Sequence, residues 1–171
     1  MAHTLEAMNN ATPEAFVAAL GGVFEHSPWV AGQASALRPF ASVDELHAAM
    51  MRVVRTAAPE AQFALICAHP ELAGREATEG ALTADSTGEQ GRLGFTSLSR
   101  AEFARVARTN AAYRAKFGFP CIVALARHAT RDTVIAAMED RVRNEPAAEI
   151  VRAIEEIGAI TRHRLAKLIV V

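Results

Sequence analysis

Apolar residues recur along most of the chain at spacings of three and four, the period that places them on one face of a helix. Val43, Leu46, Met50 and Val53 form one such stripe, and Ser42-Val43-Asp44-Glu45 at its start is a capping box. Upstream, Thr12-Pro13 offers an N-cap followed by proline at the first helical position. It opens a short helix towards Leu20 that Gly21-Gly22 ends or bends. Pro59 starts another helix through Phe63, Ile66 and Cys67, which must finish near His69 because Pro70 disfavours helical geometry in the residue before it. Ser99-Arg100-Ala101-Glu102 is a second capping box, and the stripe Phe103, Val106, Asn110, Tyr113, Phe117 follows it. That helix should run to about Lys116, where Gly118 and Pro120 break it. Thr130 caps a helix reaching Asn144, and Pro146 opens the last one, with Ile150, Ile154, Ile157, Leu165 and Leu168 facing inward. No segment sustains period-two alternation, and Cys121–Leu125 is the one apolar run that could be a strand. The pattern predicts an all-α, single-domain helical array spanning 1–171, with about six to eight helices.

Residues 70–98 break this rhythm. Gly74, Gly80, Gly88, Gly91 and Gly94, half of the ten glycines, fall here among Thr, Ser and acidic residues. A stretch of this kind inside a compact domain is usually functional or disordered, and short helical turns can interrupt it.

Composition narrows the class. Hydrophobic residues make up 51% and aromatics only 6%, with alanine abundant, which favours packed helices over sheets. The 18 basic and 19 acidic residues leave a net charge of −1, which argues against a nucleic-acid footprint or a polybasic membrane patch. No apolar run approaches the ~20 residues of a membrane helix. The first 25 residues carry no secretory pattern, and Leu168-Ile169-Val170-Val171 is not a peroxisomal address. Cys67 and Cys121 stand among apolar neighbours outside any Cys-x-x-Cys pair and read as buried, reduced thiols. A cytoplasmic globular protein is expected.

Several positions could carry chemistry. His69 ends an apolar helix, where the last carbonyls favour a protonated ring, and histidine is the usual general acid or base near neutral pH. It could equally serve as a helix C-cap. His3 falls in a terminus expected to fray, His26 and His47 in surface-like settings, and His128 and His163 beside arginines. Ser86-Thr87-Gly88-Glu89-Gln90 reads either as a helix start or as a polar site. Arg164 follows Ile157 by seven residues, about 20° from it on a helical wheel, so its guanidinium either snorkels to water or pairs with an anion. Lys116-Phe117-Gly118-Phe119-Pro120-Cys121-Ile122 ends a helix and opens into an extended apolar segment with backbone groups to offer a planar ligand. No metal-ligand spacing, phosphate loop, dinucleotide fingerprint or nucleophile elbow is present.

Taken in order, these segments resemble the 2-oxo-4-hydroxy-4-carboxy-5-ureidoimidazoline (OHCU) decarboxylase family. His69-Pro70-Glu71-Leu72-Ala73-Gly74 is similar to its His-Pro-Asp/Glu-Leu segment, and Ser86–Gln90 to its Ser-x-x-Glu-Gln segment. Lys116–Ile122 is similar to its Lys-Phe-Gly-Phe-Pro-Phe-Ile run, with Cys121 in place of the second Phe. Ser27-Pro28-Trp29-Val30-Ala31, Arg38-Pro39-Phe40 and Arg164-Leu165 extend the likeness over nearly the whole chain. The resemblance implies an all-α fold, no cofactor, no metal, a homodimer, and conversion of OHCU to (S)-allantoin with release of carbon dioxide. It implies His69 and Glu89 as catalytic residues. Pro70, Ser86, Gln90, Phe119, Pro120, Cys121, Ile122, Val123 and Arg164 would contact the substrate.

Two other readings stay open: a non-catalytic helical module that binds a purine-like ligand, and a lyase of the same fold acting on a related ureido-imidazoline. The first would not need His69 and Glu89 together.

Overall fold

The computed structural model describes residues 2–170, apart from the side chain of Glu76. Val171, the last residue of the apolar tail, lies outside the described residues. Among them ten α-helical segments account for most of the chain, as an all-α protein requires. Their number exceeds the pattern's because short helices stand where it located none: α1 (Leu5–Asn10), α3 (Trp29–Ser35), α6 (Arg75–Thr78) and α7 (Ala84–Arg92). The chain divides into two compact units, residues 1–68 with 158–171, and residues 69–157.

In the first unit α2 (Pro13–Leu20) packs on α3 (Trp29–Ser35), and α3 on α4 (Val43–Thr56). The starts follow their caps. The Thr12 hydroxyl accepts the Ala15 N–H at 3.2 Å, and the Ser42 hydroxyl accepts the Glu45 N–H at 3.1 Å. Glu45 completes only half of a capping box, because its carboxylate takes the Ala41 N–H at 2.6 Å instead. Phe16, Leu20, Phe24, Leu46, Met50, Leu65, Ile66 and Leu165 are buried, each worth roughly 1.5–3 kcal/mol relative to exposure. Leu65 and Ile66 come from α5 (Pro59–Cys67), which stops two residues before Pro70's predecessor would have to leave the helix. Cys67, at its end, is exposed, so the buried reading holds for Cys121 and not for Cys67. The helix turns its Leu65–Ile66 face inward and leaves the next position outside. His3–Thr4 (β1) pairs in parallel with Ile169–Val170 (β2), so His3 is held in a ladder rather than frayed. Two-residue strands are too short to leave an alternation in the sequence.

The second unit contains α6, α7, α8 (Arg100–Phe117), α9 (Arg131–Arg141) and the first part of α10 (Pro146–Leu168). The capping box of α8 is complete: the Ser99 hydroxyl accepts the Glu102 N–H at 3.3 Å, and Glu102 accepts the Ser99 N–H at 2.8 Å. The helix ends at Gly118, whose φ of 79° lies in the left-handed region that glycine reaches without a Cβ clash. Val106, Asn110, Tyr113 and Phe117 are buried, whereas Phe103 is 45% exposed, so the inward stripe begins one turn later than the pattern implied. α9 ends at Arg141, a turn short of Asn144. Cys121–Leu125 is no strand: residues 120–124 are irregular and a 3-10 turn, Leu125–Arg127, follows. Among the described residues no helix is long and apolar enough to cross a membrane.

Candidate active site

The His69–Gly74 loop is fixed by three side chains of its own unit. Asn110 Nδ2 donates to the Leu72 carbonyl at 2.9 Å, and Gln90 Oε1 accepts the Ala73 N–H at 3.0 Å, both in the interior. Arg114 Nε meets Glu71 Oε1 at 2.7 Å nearer the surface. Ala73 has a φ of +48°, a conformation a non-glycine residue holds only when its surroundings impose it. At Gly74 a Cβ would stand 2.5 Å from the Glu71 Cβ, so the turn admits no side chain there. His69 itself is 5% exposed and Pro70 half-buried.

α7 starts at Ala84, capped by Thr83, whose hydroxyl accepts the Ser86 N–H at 3.3 Å. Ser86 is therefore inside the helix and not its cap, which corrects the capping reading of Ser-x-x-Glu. The helix gives the segment a different meaning. Residues 86, 89 and 90 lie within about a 100° arc of a helical wheel. Ser86 and Gln90 are buried and Glu89 is half-buried, while Thr87, Gly88 and Gly91 face out. Ser86, Glu89 and Gln90 therefore share one face, and the Gln90–Ala73 bond joins that face to the loop carrying His69 and Pro70.

Phe119, Pro120, Cys121 and Ile122 are buried and Val123 half-buried, over a cluster in which Tyr113 lies 4.5 Å from Phe117 and 5.8 Å from Phe119 by ring centroids. Arg92, in the last turn of α7, donates to the carbonyls of Leu125 and His128, which ties this segment to the same helix. Burial pushes the Cys121 thiol up to about 12, so it is a neutral, unreactive sulfur. Lys116 spends its ammonium on the Val142 carbonyl at 2.9 Å, past the end of α9.

Arg164 belongs to the first unit. It is 2% exposed, and its Nη1 meets Glu25 Oε2 at 2.6 Å, with Glu25 equally buried. The guanidinium does not snorkel; it is held by a carboxylate that the sequence reading did not single out. Arg162 instead pairs with Asp44 at the surface. Nor did that reading single out Arg141, Glu149 and Glu156 as polar groups of the interior. Their one visible trace is that Glu149 and Glu156 fall seven apart within the apolar register of α10. Among the described residues no group of three or more His, Cys, Asp or Glu is placed to hold a metal ion.

The fold and these side chains define a class: an all-helical protein whose candidate site is a polar helix face tied to a buried histidine loop. The chain belongs to the OHCU decarboxylase family, whose family model, described as OHCU decarboxylase, matches residues 9–166. It is 42% identical over 164 residues to the 2-oxo-4-hydroxy-4-carboxy-5-ureidoimidazoline decarboxylase of Haloferax volcanii, covering 96% of this chain and 95% of that protein. It is 38% identical to the protein of the same name from Amia calva, covering 95% and 92%. Among solved structures it resembles (S)-allantoin synthase, with a TM-score of 0.76 and 31% identity, across 98% of this chain and 54% of that one. This chain thus spans about half of that longer chain.

Proposed function

We propose that this protein decarboxylates OHCU to (S)-allantoin and carbon dioxide in urate breakdown, using side chains and backbone groups alone. The observation that carries the reading is the buried Gln90–Ala73 bond, which joins the helix face of Ser86, Glu89 and Gln90 to the loop of His69. A binding module would have no need to bring an imidazole and a carboxylate onto linked elements.

In this reading the substrate's carboxylate leaves as carbon dioxide, and the electron pair of the broken C–C bond passes into the imine-like ring system. The neighbouring hydroxyl becomes a carbonyl as it loses its proton, and two protons are gained, one on the imine nitrogen and one on a single face of the imine carbon. The sum is one proton consumed and one carbon dioxide released per substrate anion. His69 and Glu89 are the proton-transfer groups, each such step typically worth ~10²–10⁴-fold. Ser86 and Gln90 contact the ring and ureido group. Gln90's oxygen is engaged by Ala73, so its amide N–H groups are the part left for substrate. Pro70 and the backbone from Phe119 to Val123 line the pocket, and Arg164 binds the substrate as the family's arginine does. At Cys121 the departure from the family's phenylalanine is supported as tolerable by the neutral thiol and by the backbone role assigned to that position.

The whole chain acts as one catalytic domain, as a cytoplasmic homodimer; sedimentation at several concentrations tests the dimer. The activity is tested by forming OHCU in situ from urate and following the circular dichroism of allantoin. Rapid build-up of the S enantiomer that is lost in His69→Ala, with the helical spectrum intact, supports the assignment. Slow racemic allantoin in both samples refutes it.

A further inference from the structure

From Pro120 to Ala124 the chain has neither helix nor strand, yet Cys121, Ile122 and Ala124 are at most 3% exposed. Buried backbone outside regular structure must find its hydrogen-bond partners elsewhere. The Ala124 carbonyl takes the Arg127 N–H at 2.9 Å, and two charged side chains hold further groups of the segment. Arg141 Nη1 donates to the Ile122 carbonyl, and Glu156 Oε2 accepts the Ala124 N–H at 2.7 Å. The Ile122 carbonyl and the Ala124 N–H are thus held by Arg141 and Glu156, and Cys121 and Val123 are the residues that alternate with them along the segment.

Both struts are themselves held in place. Arg141 is locked onto Glu149, with Nη2 to Oε2 at 2.8 Å and Nε to the same oxygen at 3.1 Å. Glu156, 2% exposed, has its second oxygen occupied by Arg152 at 2.8 Å and Arg127 at 3.3 Å. That division leaves Oε2 to the Ala124 N–H, and a charged acceptor makes this a strong, directional bond. An ion pair to two surface arginines would not need a buried carboxylate, and Glu156 spends one oxygen inward.

We propose that Glu156 is a positioning residue for the decarboxylation, setting the Cys121–Val123 stretch at the height and angle from which its N–H groups meet the oxygen atoms of the substrate. It touches no reacting atom. This rests on the function proposed above, in which Phe119–Val123 line the pocket.

The test compares Glu156→Ala, Glu156→Asp and Glu156→Gln with wild type in the allantoin assay, each with a far-ultraviolet spectrum and a thermal melt. Glu156→Gln keeps an acceptor at the right reach; Glu156→Asp keeps the charge but is too short to hold both the arginines and Ala124. A displaced stretch costs about tenfold to a hundredfold in kcat/KM, expressed chiefly in KM. That loss is expected for the Ala and Asp variants, with Glu156→Gln within about threefold of wild type. A purely structural role would lower the melting temperature and leave KM unchanged. Ala and Asp variants with wild-type KM overturn the inference, as does a Gln variant as impaired as the Ala one. An inactive wild type would instead overturn the function, and this inference with it.

Discussion

Glu149 offers the most direct trial of the interior's electrostatics. It is fully buried and receives Arg141 through Nε and Nη2, the Tyr113 hydroxyl, and Asn144 Nδ2 at 2.7 Å. Burial works to raise its pKa, but the hydrogen bonds from Arg141, Tyr113 and Asn144 outweigh that and hold the carboxyl below its ordinary value. Burial and the bond to Glu149 push Tyr113 upward, so its phenol stays a donor. Glu149→Gln keeps the shape and removes the counter-charge, leaving the Arg141 guanidinium buried at 7% exposure. Breaking a buried pair from one side typically costs about 3–5 kcal/mol. The amide still accepts one bond, so the loss should lie near ~3 kcal/mol. For a chain of this length that lowers the melting temperature by roughly 6–12 °C. Arg141→Met should cost at least as much, since it also strips the Ile122 carbonyl of its donor. The double variant Arg141→Met/Glu149→Leu removes both charges of this pair. It should cost clearly less than the sum of the singles, the residue being ~1–3 kcal/mol for each orphaned polar group. Urea melts followed by circular dichroism measure this as midpoint shifts at constant slope. Single variants within about 1 kcal/mol of wild type would refute the reasoning, as would a double equal to the sum of the singles.

Two further outcomes follow from groups outside this cluster. His47, half-buried and 3.1 Å from the Thr161 hydroxyl, has its pKa lowered by burial and by Arg162, against smaller opposing effects of Gly158 and Asp44. The fold therefore favours the neutral ring: its contribution is complete above the unfolded value near 6.5 and declines as pH falls below it. Glu149 adds a second loss at lower pH, as it is protonated below its depressed pKa. His47→Gln should flatten the fall in stability between pH 7 and 5 while leaving the lower branch in place; an unchanged profile would remove His47 from the account. The exposed Cys67 should react with a thiol reagent in native protein, whereas Cys121, buried with its pKa at about 12, should react only on unfolding. Two equivalents labelled at the same rate under native conditions would contradict this.

The helices were legible because their signals are local. Thr12-Pro13, Ser42, Ser99, Thr130 and Pro146 each mark a start within four residues, and the inward stripes repeat every turn. His69 and the Ser86–Gln90 segment stood out through the proline and the unusual polarity around them. What stayed hidden depends on partners far along the chain. Nothing near Glu25 shows that it will meet Arg164, 139 positions away. Asn110 lies in an apolar stripe because its amide is needed by Leu72, 38 positions earlier, and in the sequence it passes for an exception to the stripe. Glu149 and Glu156 likewise look like solvated charges in an amphipathic helix, though both are buried. Phe103 erred the other way: an aromatic in register with a stripe, lying just beyond the part of it that is covered.

The pairing of His3–Thr4 with Ile169–Val170 sets the two extremes of the described chain side by side. Neighbouring strands lie about 4.8 Å apart, and because these run parallel, a peptide joining them must double back over only ~7 Å. The order of elements along the described residues is then largely a matter of where the loop is cut. A circular permutant, closed by a few flexible residues and reopened in the exposed turn around Gly80, would retain every helix intact. For the same reason a partner attached at either extreme would leave from nearly the same point on the surface, so tethering order becomes a free choice in building fusions.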